Sequence, residues 1–430
     1  MVFTPPTNFS LFKKRRQSLV QEIKHKYGVQ KGIILIGAGF ETDRYAFRQE
    51  SSFYYLTGIA EPAVMLCILL DGPEILYVPH FATPRSQWTA VSVEGPKDAP
   101  LVGIDQIRYL GQPIPGYSFR PVFAHDKYAD LLKDLQEYFA ASPQASLFTI
   151  LDSSRDGYLW HIDTVNHFTT AIPTLQKNTI DIAPLIHDAR RIKDEYEIDL
   201  IYKAIQITNL AHKAIASLIK KDAYEYELLA AVECVFTQVA AAPHAFPPII
   251  ATGKNTTILH YTQCHQQLKP GDLVVIDIGA EYGLYAADLT RTFPVNGIFS
   301  PRQREIYNIV LDAQAYIESI AYPGMYLKNP KLPEKSLHHL AVKFFEKHNL
   351  AQYFCHGIGH YLGLDVHDTG SLAEPLLPGD VFTLEPGIYI AEENIGIRIE
   401  DNYVMADDGA VCLSYELPKL ADEIEQLMKT

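Results

Sequence analysis

Apolar residues fall at helical spacing over positions 10–24, in a short unbroken run over 32–37, in two more compact runs over 53–58 and 64–70, and again at helical spacing over 128–139. Long periodic segments predict helices, and short continuous runs predict buried strands. Residues 32–37, 53–58 and 64–70 are therefore expected as strands and the other two segments as helices. Pro113 and Pro115, in GQPIPG, mark a surface loop. The alternation predicts an α/β unit of its own.

Positions 178–188 lead into a long charged segment, RRIKDEYEIDLIYKAIQITNLAHKAIASLIKK, whose apolar residues again recur at helical spacing. A boundary is placed near Lys177, giving domains 1–176 and 177–430. The second domain reads as a helix opening at Asp222 and strands over 273–279 and 285–293. A helix over 300–320 follows, started by Ser300 and Pro301, then another over 335–348. Strands over 381–390 and 395–405 and a short helix from Pro418 complete it. Helices followed by a hairpin occur twice, although no sequence repeat is legible.

Both hairpins carry acids in matching places. Asp277 and Asp288 lie in VVIDIGAEYGLYAADLTRTF, with their midpoint between Tyr282 and Gly283. A turn at AEYG would set the two carboxylates opposite each other, about 5 Å apart at Cβ. Glu385, in FTLEPGIYI, and Glu400, in GIRIED, have their midpoint inside AEEN, where a second hairpin would turn. Four buried carboxylates repel unless something neutralises them, because uncompensated buried charge costs several kcal/mol per ion. Two divalent cations balance the charge, at the spacing of roughly 3.5–4 Å that bridging carboxylates suit.

Histidines sharpen this expectation. FCHGIGHYLGLDVHD holds His356, His360 and His367, and His260 stands in ILHYT. The HxxxH spacing lacks the glutamate of HExxH, and the interleaved glycines argue against a helix. One histidine is therefore read as a ligand and the others as polar groups around the reaction centre. Oxygen-rich ligation with a single imidazole favours manganese, cobalt or zinc over a thiolate-type site. Cys355 is expected as a small buried apolar residue.

Composition narrows the class of protein. The 430 residues hold 37 basic and 51 acidic side chains, a net charge of −14, which disfavours a general nucleic-acid binder. The longest apolar stretch, 63–70, is far below the 20 or so residues that span a bilayer. No secretory signal is legible at the amino end, and the KKRR run at 13–16 is read as a solvated helix face. Five scattered cysteines suggest neither a disulfide framework nor a zinc knuckle, so a reducing cytoplasm is the expected home.

Asp277, Asp288, His360, Glu385 and Glu400 resemble, in order and local context, the D, D, H, E, E metal ligands of the pita-bread metallopeptidases, the family of methionine aminopeptidase, aminopeptidase P and prolidase. HGIGHYLGLDVHD, GIRIED and FRQESSFYYLTGIAEP resemble aminopeptidase P and prolidase in particular. The resemblance spans nearly the whole chain. It implies a two-domain α/β protein, a creatinase-like amino-terminal domain followed by a pita-bread catalytic domain, with two divalent ions, most often manganese. It further implies that His260, His356 and His367 contact substrate or handle protons and that Glu385 joins ligation to general-base duty. Arg398 and Tyr389 match positions beside the site, and Trp88 a tryptophan that reaches a neighbouring subunit. The implied activity is hydrolysis of the amino-terminal Xaa-Pro bond by a cytoplasmic homodimer or homotetramer. The compact stretch from His367 to Glu385 and the GIRIED ending lean towards aminopeptidase P over prolidase. A non-catalytic binding module and a metal-free creatine-type hydrolase are the other readings, and the complete ligand set disfavours both.

Overall fold

The computed structural model describes residues 9–41, 46–115, 128–240 and 242–429. Two compact units divide the chain, Pro5–Ala189 and Arg190–Thr430.

In the first unit, helix α1 (Ser10–Tyr27) precedes strand β1 (Gly32–Gly37), α2 (Ser51–Thr57), β2 (Met65–Leu69), β3 (Glu74–Val78) and β4 (Gln106–Tyr109). Then come α3 (Ala129–Ala141), β5 (Ser146–Thr149), α4 (Leu159–Ala171), α5 (Leu175–Asn178), β6 (Thr179–Asp181) and α6 (Ala183–Arg191). The strands form one mixed sheet in the order β4-β3-β2-β1-β5-β6. Leu35, Cys67, Tyr77 and Leu147 from its centre pack with Leu131, Leu135, Val165 and Phe168 from α3 and α4. Packing sets the division at Ala189, beyond the Lys177 read from sequence, because β6 pairs parallel to β5 and keeps the chain in the sheet. The division falls inside α6.

Two expectations fail in this unit. Residues 53–58 are helical, not extended. Glu50 accepts hydrogen bonds from the Ser52 and Phe53 amides, and Gly58 ends the helix in the left-handed region. Every residue of α2 is buried, so its apolar run carries no period by which helix and strand could be told apart. The basic run is a solvated face only at Lys13 and Lys14, not at Arg15 and Arg16. Arg16 is fully buried, ion-paired to Glu74 at 2.7 Å and donating to the Leu56 and Gly103 carbonyls, while Arg15 lies 4.1 Å over the Tyr55 ring. A cavity of about 410 Å³ in this unit is lined by Glu61, Arg85, Val93 and Tyr109, and Arg85 is already paired with Glu41 and Glu61.

The second unit opens with α7 (Glu195–Ala216) and α8 (Glu225–Ala240), followed by β7 (Ile249–Thr252), β8 (Leu273–Ile278), β9 (Glu281–Tyr282), β10 (Tyr285–Ala286) and β11 (Leu289–Pro294). Helices α9 (Pro301–Ile320) and α10 (Leu337–Glu346) then lead to β12 (Val381–Leu384), β13 (Gly387–Ile390), β14 (Ile395–Arg398), β15 (Asp401–Ala406), β16 (Gly409–Cys412) and α11 (Ala421–Leu427). The long charged segment is thus the end of α6 followed by the single helix α7. Asp194 caps α7, accepting from the Glu197 amide while the Glu197 carboxylate accepts from the Asp194 N–H. The helix over 300–320 begins as expected, with Ser300 and Gln303 forming a capping box ahead of Pro301.

Two three-stranded antiparallel sheets, β11-β8-β7 and β12-β15-β16, form the heart of this unit, with ribbons β9-β10 and β13-β14 at the hairpin ends. All six residues of β8 and of β11 are buried, as the apolar run LVVIDI requires of a strand covered on both faces. Thr290 and Glu400 form an antiparallel bridge that joins the two halves. At the amino edge, Arg190 pairs with Asp365 and Asp368, Lys193 with Asp368, and Arg191 with Asp380, all within 2.9 Å. Among the described residues no helix is long and apolar enough to cross a membrane.

Candidate metal centre

The four acids arrive on strands that break beside them. The first hairpin turns at Gly283 and Leu284, one residue later than expected, so Asp277 stands opposite Thr290 rather than Asp288. The two aspartates are still two ladder positions apart on one face, because side chains alternate along a strand. Asp288 itself falls in the gap between β10 and β11. In the second hairpin the registers Leu384↔Asp401 and Gly387↔Arg398 agree, and their continuation sets Glu385 against Glu400, as read from the sequence.

His360 is delivered by a segment laid along β12. Ile358 O accepts from the Glu385 amide, His360 O from the Thr383 amide and Val381 O from the Leu362 amide, at 2.8–2.9 Å. Gly359 makes this approach possible, since a Cβ there would lie 1.9 Å from the Thr383 carbonyl oxygen. The His360 Nδ1 lies 3.0 Å from the Tyr361 carbonyl, which holds the proton on that nitrogen and leaves the Nε2 lone pair free. Nε2 is 3.4 Å from Asp288 Oδ2, 3.9 Å from Glu385 Oε1 and 4.0 Å from Glu400 Oε1.

Three carboxylate oxygens here have no hydrogen-bond partner although they are buried: Asp277 Oδ1, Asp288 Oδ1 and Glu400 Oε1. Buried acceptors without donors are costly and rare. Burial, with Asp277 and Glu385 adding repulsion, pushes the Asp288 carboxyl well above the ordinary range. Burial likewise raises Glu400, with Asp288, Glu385 and Asp277 contributing, and lifts Glu385 to about 7 against the opposing pull of His360 and Arg398. The Arg398 guanidinium opposes this repulsion, donating to Asp277 Oδ2 at 2.6 Å. Asp288, His360 and Glu400 each offer a ligand atom within 4.8 Å of the others. Orphaned acceptors, mutual repulsion and a free imidazole lone pair in one place are what divalent cations would satisfy, so the residues fit a metal centre.

The remaining candidates surround this cluster unequally. Arg398 also donates to the Tyr389 hydroxyl at 2.8 Å, and that hydroxyl lies 2.9 Å from His356 Nε2. His356 Nδ1 faces the Gly357 carbonyl at 2.8 Å, so both its nitrogens are engaged, and Glu385 Oε2 is 3.6 Å away. Burial, then the Arg398 charge, depresses His356 to about 4. The His367 ring is tilted at 47° to that of His360 with centroids 4.2 Å apart, and His367 is depressed to about 4 by burial and by His360. His260 lies close enough for its charge to act on both. Cys355 is exposed, against expectation, because its backbone leads into the loop bearing His356 rather than into the core. Thr290, which escaped notice in the sequence, donates to Glu400 Oε2 at 2.8 Å and accepts from Arg398 Nε at 3.2 Å. Its place two residues beyond Asp288, on the same strand face, was the available signal.

Residues 199–407 match the model of metallopeptidase family M24, and residues 12–113 that of the aminopeptidase P amino-terminal domain. An Xaa-Pro aminopeptidase of Haemophilus influenzae is 32% identical over 413 residues, 89% of each chain. The chain belongs to the M24 metallopeptidases. Within this family, the Escherichia coli Xaa-Pro aminopeptidase is 30% identical over 97% of each chain. The human Xaa-Pro aminopeptidase 3 is 30% identical over 89% of this chain and 77% of its own. The solved Escherichia coli aminopeptidase P with the inhibitor Pro-Leu superposes with a TM-score of 0.82 at 28% identity, covering 98% of both chains. The two-domain α/β architecture expected from the sequence matches that of the Escherichia coli aminopeptidase P structure.

Proposed function

We propose that this M24 metallopeptidase is an Xaa-Pro aminopeptidase that holds two divalent cations, manganese foremost, among Asp277, Asp288, His360, Glu385 and Glu400. The observation that carries the reading is the set of three buried, donor-less carboxylate oxygens on Asp277, Asp288 and Glu400, together with the Asp288 and Glu400 carboxylates 3.4 and 4.0 Å from the free His360 Nε2. The Xaa-Pro aminopeptidases that this chain resembles over most of its length supply the substrate class: peptides with proline at position two. When bound, such a cation pair supplies a Lewis acid for the scissile carbonyl and acidifies a water to near neutrality.

The chain's own groups divide the remaining work. Glu385 takes and returns the proton of the attacking water, with His356 Nδ1 3.6 Å from its far oxygen. His356, held between Gly357 and the Tyr389 hydroxyl, keeps that hydroxyl and Arg398 in line, and Arg398 in turn fixes Asp277. His260 and His367 donate to substrate carbonyl oxygens, where preorganised donors act on developing negative charge. Proline lacks a backbone N–H and has a fixed φ, so a site that recognises it must grip neighbouring carbonyls and the free amine instead. A homodimer or homotetramer belongs to the same reading, with the 63% exposed Trp88 reaching a neighbouring copy.

Replacing Asp288 by Ala should leave a folded chain with almost no Xaa-Pro hydrolysis. Retained turnover would reject the metal assignment. A series from Gly-Pro to Gly-Pro-Xaa and longer peptides, run with manganese, cobalt and zinc in turn, decides substrate length. Turnover confined to Gly-Pro would make the chain a dipeptidase.

A further inference from the structure

Asn402 takes no part in the chemistry above, yet it grips the backbone of Asp288 at two points. Its Nδ2 donates to the Asp288 carbonyl at 2.6 Å, and its Oδ1 accepts from the Asp288 N–H at 3.1 Å. The side chain is fully buried. Register explains why a side chain is found there. Thr290 and Glu400 bridge the two halves as an antiparallel pair, with backbone bonds of 3.1 and 3.4 Å. Two residues along, the same ladder would set Asp288 opposite Asn402. The backbone of Asn402 is already committed elsewhere. It stands opposite Thr383 in the β12–β15 ladder, its N–H donates to Ser414 Oγ at 3.2 Å, and its carbonyl accepts from the Leu413 amide at 2.7 Å.

Asp288 needs such a partner because β10 has ended at Ala286 and β11 starts only at Leu289. Gly279, whose added Cβ would lie 1.9 Å from the Ala287 carbonyl, marks how tightly the chain turns out of the ladder at that point. A carboxamide presents one acceptor and one donor side by side, much as a peptide group does. It therefore completes the ladder where no backbone is available.

We propose that Asn402 is a positioning residue for Asp288: by standing in for the missing rung, it fixes the direction from which the Asp288 carboxylate enters the cation site. The inference rests on the reading of Asp288 as a ligand. Groups that orient ligands from behind typically contribute 10–100-fold to metal affinity. Buried side chains this close to a sheet junction are sensitive to size, so two variants are needed. Asn402→Ala removes both hydrogen bonds, and Asn402→Leu removes them while keeping the volume.

The experiment titrates manganese into the metal-free full-length chain by calorimetry, for wild type, both variants and Asp288→Ala, with circular dichroism confirming the fold. We expect whichever variant folds to bind manganese about 10–100-fold more weakly and to regain Gly-Pro-Xaa turnover as manganese is raised. A purely structural role would lower the melting temperature and leave manganese dependence as in wild type. That outcome overturns the inference. If Asp288→Ala binds manganese like wild type, the ligand assignment fails instead, so the two failures are distinguishable.

Discussion

Gly359→Ala tests the geometry of the site with a single methyl group. The added Cβ would stand 1.9 Å from the Thr383 carbonyl oxygen and 2.8 Å from its carbon. Ordinary non-bonded contacts lie near 3.5 Å, so the segment must lift from β12 by about 1.5 Å. That lift strains the His360 N–H bond to Thr383 Oγ1, now 3.2 Å, and the Thr383 N–H bond to the His360 carbonyl, now 2.9 Å. Overpacking of this kind costs roughly 1–3 kcal/mol, and misplacing a reacting group by 1 Å costs about 100-fold in rate. We expect Gly359→Ala to lose about 100-fold in kcat/KM for a Gly-Pro-Xaa peptide and to bind manganese more weakly by calorimetry. Gly357 provides the control, because a Cβ there meets nothing closer than 3.8 Å. Gly357→Ala should therefore stay within about twofold of wild type, since open space imposes no shift. Equal behaviour of the two variants would refute the claim that close approach to Thr383 places His360.

Metal removal should lower stability. A cation present at 100 times its dissociation constant adds about 2.7 kcal/mol, so chelation is expected to drop the midpoint of the second unit by roughly 5–10 °C in scanning calorimetry, and an unchanged midpoint would argue against any cation site. His161 supplies a pH effect in the first unit. The Gly37 N–H donates to its Nδ1 at 3.1 Å, its Nε2 lies 2.7 Å from Thr149 Oγ1, and burial depresses it from 6.5 to about 4. The unfolded chain therefore takes up this proton below pH 6.5 while the folded one does so only near 4. Stability should fall between those values, by about 2 kcal/mol at pH 5 relative to pH 8. His161→Phe should remove that part of the slope in denaturant titrations, and a variant as pH-sensitive as wild type contradicts the assignment.

Much of the site was legible because two periodicities did the work. Strand alternation put Asp277 and Asp288 on one face even though the turn came a residue late. Symmetric spacing about AEEN gave the Glu385 and Glu400 register directly. Spacing could not show the strand break at Asp288, since apolar Ala287 and Leu289 continue the run on both sides of it. Nor could it show which histidine keeps a free lone pair, because that depends on the Tyr361 and Gly357 carbonyls. In the first unit, α2 was misread because total burial erases the helical period, and Arg16 because its counter-charge Glu74 lies far along the chain.

The cations at the edge of the second unit bear on where a gene fragment could be cut. Arg190, Arg191 and Lys193 neutralise Asp365, Asp368 and Asp380 in and beyond the loop that carries His367. A shortened version begun at the capped start of α7 would look tidy on a secondary-structure diagram. It would also strip the buried Asp368 and Asp380 of these counter-charges, a defect that commonly costs about 3–5 kcal/mol for each broken buried pair. Expression of the hydrolytic half alone should therefore begin at or ahead of Arg190.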